Sequence, residues 1–121
     1  MAAADYEIRR TGRYAIMATP PEIDATNADE IRQALLGACD GAAILIIDMS
    51  ETTFCDSAGL RAIITAQKQA AATGTQFRLA ATALLRILTI TGVERLIPVY
   101  STLAGALAEC TRPPAEPPLK K

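Results

Sequence analysis

The sequence predicts an α/β fold: a mostly parallel sheet of about five strands, an opening β-hairpin that adds one antiparallel strand, and about four helices. Three observations carry this. Strand-like segments alternate with segments whose apolar residues recur every three or four positions, a pattern that implies parallel strands joined by helical crossovers. The run "AAILIIDM" (42–49) is unbroken and isoleucine-rich, which suits a central strand covered on both faces. "YEIRR" and "YAIMAT" flank Thr11-Gly12-Arg13, and a glycine able to take positive φ between two strand-like runs marks a hairpin.

Along the chain, Pro20 and Pro21 end the second strand because neither donates a ladder hydrogen bond, so "PPEID" reads as a loop. Asn27 with Glu30 three residues on forms a capping-box pattern. The helix it opens carries Ile31, Ala34, Leu35 and Ala38 on one stripe and ends near Cys39. After the central strand, a longer helix presents Leu60, Ile63, Ile64, Ala70 and Ala71 and is stopped by Gly74. "TQFRLA" is the next strand. Thr82 is placed to cap a third helix with Leu84, Ile87, Leu88 and Thr91 on one face, closed by a left-handed Gly92. "LIPVY" makes a short last strand, and Ser101 or Thr102 opens a final helix through Leu103, Ala106, Leu107 and Cys110.

With 121 residues, the chain is expected to form one domain over 1–110, followed by a proline-rich tail over 111–121 with little to bury and an expected disordered state. Twelve Lys and Arg balance thirteen Asp and Glu, and the absence of a basic stripe argues against nucleic acid. The longest apolar run, Gly41 to Ile47, is far short of the ~20 residues that span a bilayer. The N-terminus lacks the basic and apolar regions of a secretory signal, so a cytoplasmic location is expected. Three widely spaced cysteines form neither a disulfide framework nor a metal motif. No histidine is present, which removes the usual general base and counts against an enzyme.

"TTFCDSAGLRAII" (52–64) runs from a strand-like segment into a helix and sets Ser57 at the junction. A serine or aspartate there most often only caps the first turn. Cys55-Asp56-Ser57-Ala58-Gly59 superficially matches a nucleophile elbow, but without histidine the triad cannot be completed. Cys55 near a helix N-terminus could gain thiolate character, which leaves a thiol enzyme or small ligand-binding domain as one alternative. As a phosphate acceptor, Ser57 would expose its hydroxyl beside unpaired backbone N–H groups, with Gly59 keeping the turn open to a partner's ATP. The chain has no phosphate-binding loop of its own, so no cofactor is expected and the phosphoryl donor must come with a partner.

Three blocks, "EIDATNADEIRQAL", "ILIIDMSETTFCDSAGLRAII" and "LLRILTITGVERLIPVY", resemble STAS domains, and among them the bacterial anti-sigma factor antagonists, from about Tyr6 to Cys110. The middle block is the most specific: strand, loop, then Asp-Ser-small-Gly-Leu opening a helix. The resemblance implies a single STAS-like domain in which Ser57 is phosphorylated by a cognate anti-sigma factor of the histidine-kinase-type ATPase fold, acting as a serine kinase. The unphosphorylated protein would bind that factor and so release a sigma factor, and a PP2C-type phosphatase would reset it. The implied partner-binding set is Glu22, Ile23, Asp24, Asp56, Ser57, Ala58 and Gly59. Pro21 stands where the family often has glycine, Ala58 where a second serine is common, and Cys55 where a bulky apolar residue is usual. The same family also implies an alternative, a non-switching scaffold subunit of a membrane transport or lipid-trafficking ATPase complex.

Overall fold

The computed structural model describes residues 6–111; Thr111, expected to begin the disordered tail, instead ends a helix, and the rest of that tail lies outside these residues, as does the Cys110 side chain. Strands β1 (Ile8–Thr11) and β2 (Tyr14–Ala18) form the hairpin, with Gly12 at φ +58° in the connection. The chain then gives a two-residue strand β3 (Glu22–Ile23), helix α1 (Ala28–Ala38), β4 (Ile44–Met49), a two-residue β5 (Phe54–Cys55), and α2 (Ser57–Ala71). It continues through β6 (Gln76–Ala81), α3 (Leu85–Thr91), a 3-10 turn (Val93–Arg95), β7 (Val99–Tyr100) and α4 (Leu103–Thr111). The main sheet has the order β1-β2-β4-β6-β7, antiparallel only between β1 and β2. The predicted α/β class, five strands, four helices and central "AAILIIDM" strand are all present.

Period-two alternation divides the core between the two faces of this sheet. On one face Met17, Leu45, Ile47, Met49 and Leu79 pack with Ile31, Leu35, Ile63 and Leu88 of α1, α2 and α3. On the other, Ile16, Ile46 and Ala80 meet Ala106 of α4. β4 therefore buries both its faces, which is why its sequence shows an unbroken apolar run instead of alternation.

Several local expectations are corrected. "PPEID" is not wholly a loop: Glu22 and Ile23 pair in parallel with Phe54 and Cys55, and a pairing this short between segments distant in sequence leaves no alternation to read. Asn27 makes no capping bond to α1; its amide is used in the preceding loop. Of the expected α2 inner face only Ala71 is exposed; Ile63 and Ala70 are buried, Leu60 and Ile64 are half-buried and packed against the core, and Gly59, Ala62 and Ala66 join them. Thr82 does not cap α3 but donates its hydroxyl to the Ser101 carbonyl (3.3 Å). Ile87 and Thr91 are exposed because α3 covers the β7 edge with only Leu84 and Leu88 inward. Gly92 takes the predicted left-handed conformation at φ +81°, and Thr102 caps α4, its hydroxyl accepting from the Gly105 N–H at 2.9 Å.

Beneath the C-terminal ends of β2 and β4, two threonines tie the loops together. Thr52, fully buried, lies 2.7 Å from the Thr19 hydroxyl and donates to the Pro20 carbonyl at 2.7 Å. Thr52→Val keeps the shape but leaves the Pro20 carbonyl and Thr19 hydroxyl without this partner. The expected loss is about 1–3 kcal/mol of unfolding free energy, read by urea denaturation; an unchanged midpoint would contradict the role assigned to this pair.

Candidate functional site

The site forms where β5 hands over to α2. Asp56 takes an extended conformation (φ −88°, ψ −175°), and its Oδ1 accepts the Gly59 N–H at 2.9 Å. Asp56 is thus the N-cap, satisfying one of the orphan amides of the first turn. Ser57, the first helical residue, is exposed, and its hydroxyl has no hydrogen-bond partner among the described residues. Capping is done by the aspartate and leaves the serine oxygen available.

A second segment is held against this junction. The Asp56 N–H donates to the Ile23 carbonyl (3.1 Å) and the Thr53 N–H to that of Pro21 (2.8 Å). The parallel register of Glu22 with Phe54 and Ile23 with Cys55 carries Asp24 alongside Asp56. Asn27 braces the turn that follows: its Oδ1 accepts the Asp24 N–H (3.0 Å), and its Nδ2 donates to the Glu22 carbonyl (2.9 Å). Asp24 Oδ1 accepts both the N–H and the hydroxyl of Thr26. Those bonds, the hydroxyl's first, hold its carboxyl below the ordinary carboxylate value, so Asp24 is ionised at neutral pH. The serine end of the molecule accordingly carries two carboxylates, Asp24 and Asp56, on adjoining backbone segments.

Gly59 plays a different part from the one its position suggested. It is buried, and a Cβ there would lie 2.5 Å from Ile23 Cγ2 and 3.0 Å from Cys55 Sγ. The missing side chain admits β3 and β5 against the helix; it does not open a path for ATP. Ile23 is fully buried in the main core, so it shapes the site from below without offering surface to a partner. Ala58 is half-buried, while Glu22 and Ser57 are exposed. Cys55 is half-buried, and burial, aided by the adjacent Asp56 charge, pushes its thiol up to about 11. The thiolate expected from a helix N-terminus is therefore not favoured, because desolvation outweighs it. Sequence reasoning missed Phe54, which is 49% exposed three residues before Ser57, on the strand that pairs with Glu22 and Ile23. A Phe-out, Cys-in alternation over 54 and 55 is the signal that identifies it.

Among the described residues no group of acidic, cysteine or histidine side chains is arranged to hold a metal ion. None of the described helices is long and apolar enough to cross a membrane.

The solved structures similar to this one include an anti-sigma factor antagonist from Mycobacterium paratuberculosis. It is 28% identical, with a TM-score of 0.75 over 87% of this chain and 92% of that one. A putative anti-sigma factor antagonist from Thermotoga maritima also has a TM-score of 0.75, at 20% identity over 88% and 95% of the two chains. The phosphorylated form of the Bacillus cell fate determinant SpoIIAA gives 0.63 at 14% identity over 88% and 99%. At such identities the last two speak for the fold alone. A comparison with curated protein sequences finds no match. The family model of the STAS domain matches residues 5–106, nearly the whole of the sheet and helices described above, and the chain belongs to the STAS domain family.

Proposed function

We propose that this STAS domain is an anti-sigma factor antagonist that works by partner switching. In its unphosphorylated form it binds a cognate anti-sigma factor, a serine kinase of the histidine-kinase-type ATPase fold, and so frees a sigma factor. Phosphorylation of Ser57 ends that binding, and a PP2C-type phosphatase restores it. The observation that carries the reading is the Ser57 hydroxyl: exposed, unpartnered among the described residues, and flanked by Asp56 and Asp24 on a braced loop. Likeness to the Mycobacterium antagonist supports it. The chain itself contributes an acceptor and a docking surface, with ATP supplied by the kinase. Phosphosite mapping by mass spectrometry after expression in the native cell tests this. Phosphate on Ser57 is expected, and its absence when the partner kinase is active would favour a non-switching scaffold.

Asp24 separates contact from architecture. Asp24→Asn keeps an oxygen for the Thr26 N–H while removing the charge, so the thermal midpoint should stay nearly constant. Kinase affinity or the phosphorylation rate should fall about tenfold, the scale of losing one charged contact at an interface. An equal loss in stability would make Asp24 a loop brace only. Its depressed carboxyl carries a pH signature of definite sign. The stability that its Thr26 bonds contribute is present at neutral pH and is lost as pH falls through the folded-state value.

A further inference from the structure

The charge of this chain is segregated along its length. Residues 22–56 hold eight acidic side chains against one arginine, whereas 57–98 hold five basic side chains against one glutamate. The basic part includes α3 and the 3-10 turn, and that surface is also unusually apolar. Ile87 and Leu96 are each 49% exposed and Ile90 is 72% exposed. Ile87 and Ile90, three residues apart, are neighbours on the helix surface: Ile90 turns away from the buried Leu84 and Leu88, and Ile87 sits on the flank between them. Arg86 and Arg95 are exposed with no side-chain partner among the described residues. Next to Arg95 in the chain, Leu96 lines a cleft of about 440 Å³ that runs between the flank of α2 at Gln67 and Ala71 and the turn at Leu96 and Pro98.

We infer that this face is a second docking surface, and that its occupant is an acidic amphipathic segment of a partner protein. Such a segment would seat an apolar side chain in the Leu96 cleft and set carboxylates against Arg86 and Arg95. Charge selects an acidic occupant, because Glu94 alone opposes the two arginines. Shape selects a protein segment over a lipid surface: a cleft receives a protruding side chain, whereas a bilayer offers a plane, and two arginines fall short of the clusters of four to eight basic residues that read as lipid-binding. A second copy of this chain presented by the same face would bring like charges together. The inference stands apart from the Ser57 reading, since that end of the molecule is acidic and calls for a basic partner surface.

The test is an NMR titration of the full chain with a synthetic amphipathic helix of about 18 residues, leucines on one face and glutamates on the other, and with its lysine counterpart. Shifts are expected at 86–96 and around Gln67 and Gly74 with the acidic peptide only, and affinity should fall as salt rises. Ile90→Ser and Arg86→Glu/Arg95→Glu, all at exposed positions, should each weaken binding about tenfold or more, while Ser57→Ala binds as the wild type. Equal response to both peptides, shifts centred on another face, undiminished binding by the variants, or binding to phosphatidylglycerol vesicles without binding to the peptide would each overturn the proposal.

Discussion

Gly59→Ala should destabilise the protein by about 1–3 kcal/mol, the range for a side chain forced into a filled space. Ordinarily the sign is the reverse, because alanine is the better helix former by ~1 kcal/mol. Here the added Cβ meets Ile23 Cγ2 at 2.5 Å and Cys55 Sγ at 3.0 Å. Ile23 is fully buried in the main core and cannot swing away, so β3 or the first turn of α2 has to move. Each kcal/mol lost should lower the melting midpoint by roughly 4 °C for a domain of this size. A double-mutant cycle isolates the cause. Ile23→Ala alone should cost about 2–5 kcal/mol through its cavity, but clearly less in the Gly59→Ala background, where the cavity receives the new methyl group. Additive losses would mean that the strain is relieved elsewhere. Because the same movement displaces Asp24 relative to Asp56, the kinase phosphorylation rate should fall as well, even below the melting range.

The sequence exposed what depends on local pattern. The isoleucine run of β4, the glycine joining the hairpin strands, the glycine closing α3 and the Asp-Ser junction each state their structure within a few residues. What stayed hidden depends on partners far along the chain. Glu22 and Ile23 are a strand only because Phe54 and Cys55 lie beside them, and Asn27 serves its loop instead of its helix, its side chain already engaged with the Asp24 N–H and the Glu22 carbonyl. Gly59 shows the same limit most sharply. In sequence it reads as an open helix start, and only the arrival of Ile23 and Cys55 makes it a packing requirement. At the site, sequence located Ser57 and its acidic neighbours, but assigning the cap to Asp56 and leaving Ser57 free needed the helix geometry.

Phosphorylation of Ser57 should control association by charge while leaving the fold intact. The modification adds about −1.5 to −2 charges at neutral pH, beside Asp56 and the Asp24 segment that the β3–β5 register sets next to it. Two unit charges ~5 Å apart at an effective dielectric of ~20 repel by about 3 kcal/mol. The α2 N-terminus offsets roughly 0.3–1 kcal/mol of this, or up to ~2 if partly buried. Ser57 is exposed, so in the free protein water screens the remainder. A partner packed over Ser57 removes that water, and a penalty of ~3 kcal/mol at the interface lowers affinity on the order of a hundredfold. Ser57→Ala should therefore bind persistently, and Ser57→Asp, with a single charge and fewer oxygens, should weaken binding only in part. The decisive measurement is the affinity of phosphorylated and unphosphorylated protein for the cognate anti-sigma ATPase, taken with ADP present and with circular dichroism of both forms. The expected result is about a hundredfold weaker binding by a phosphoprotein of unchanged fold; equal affinity of two folded forms would contradict the switch and leave Ser57 merely the first residue of a helix.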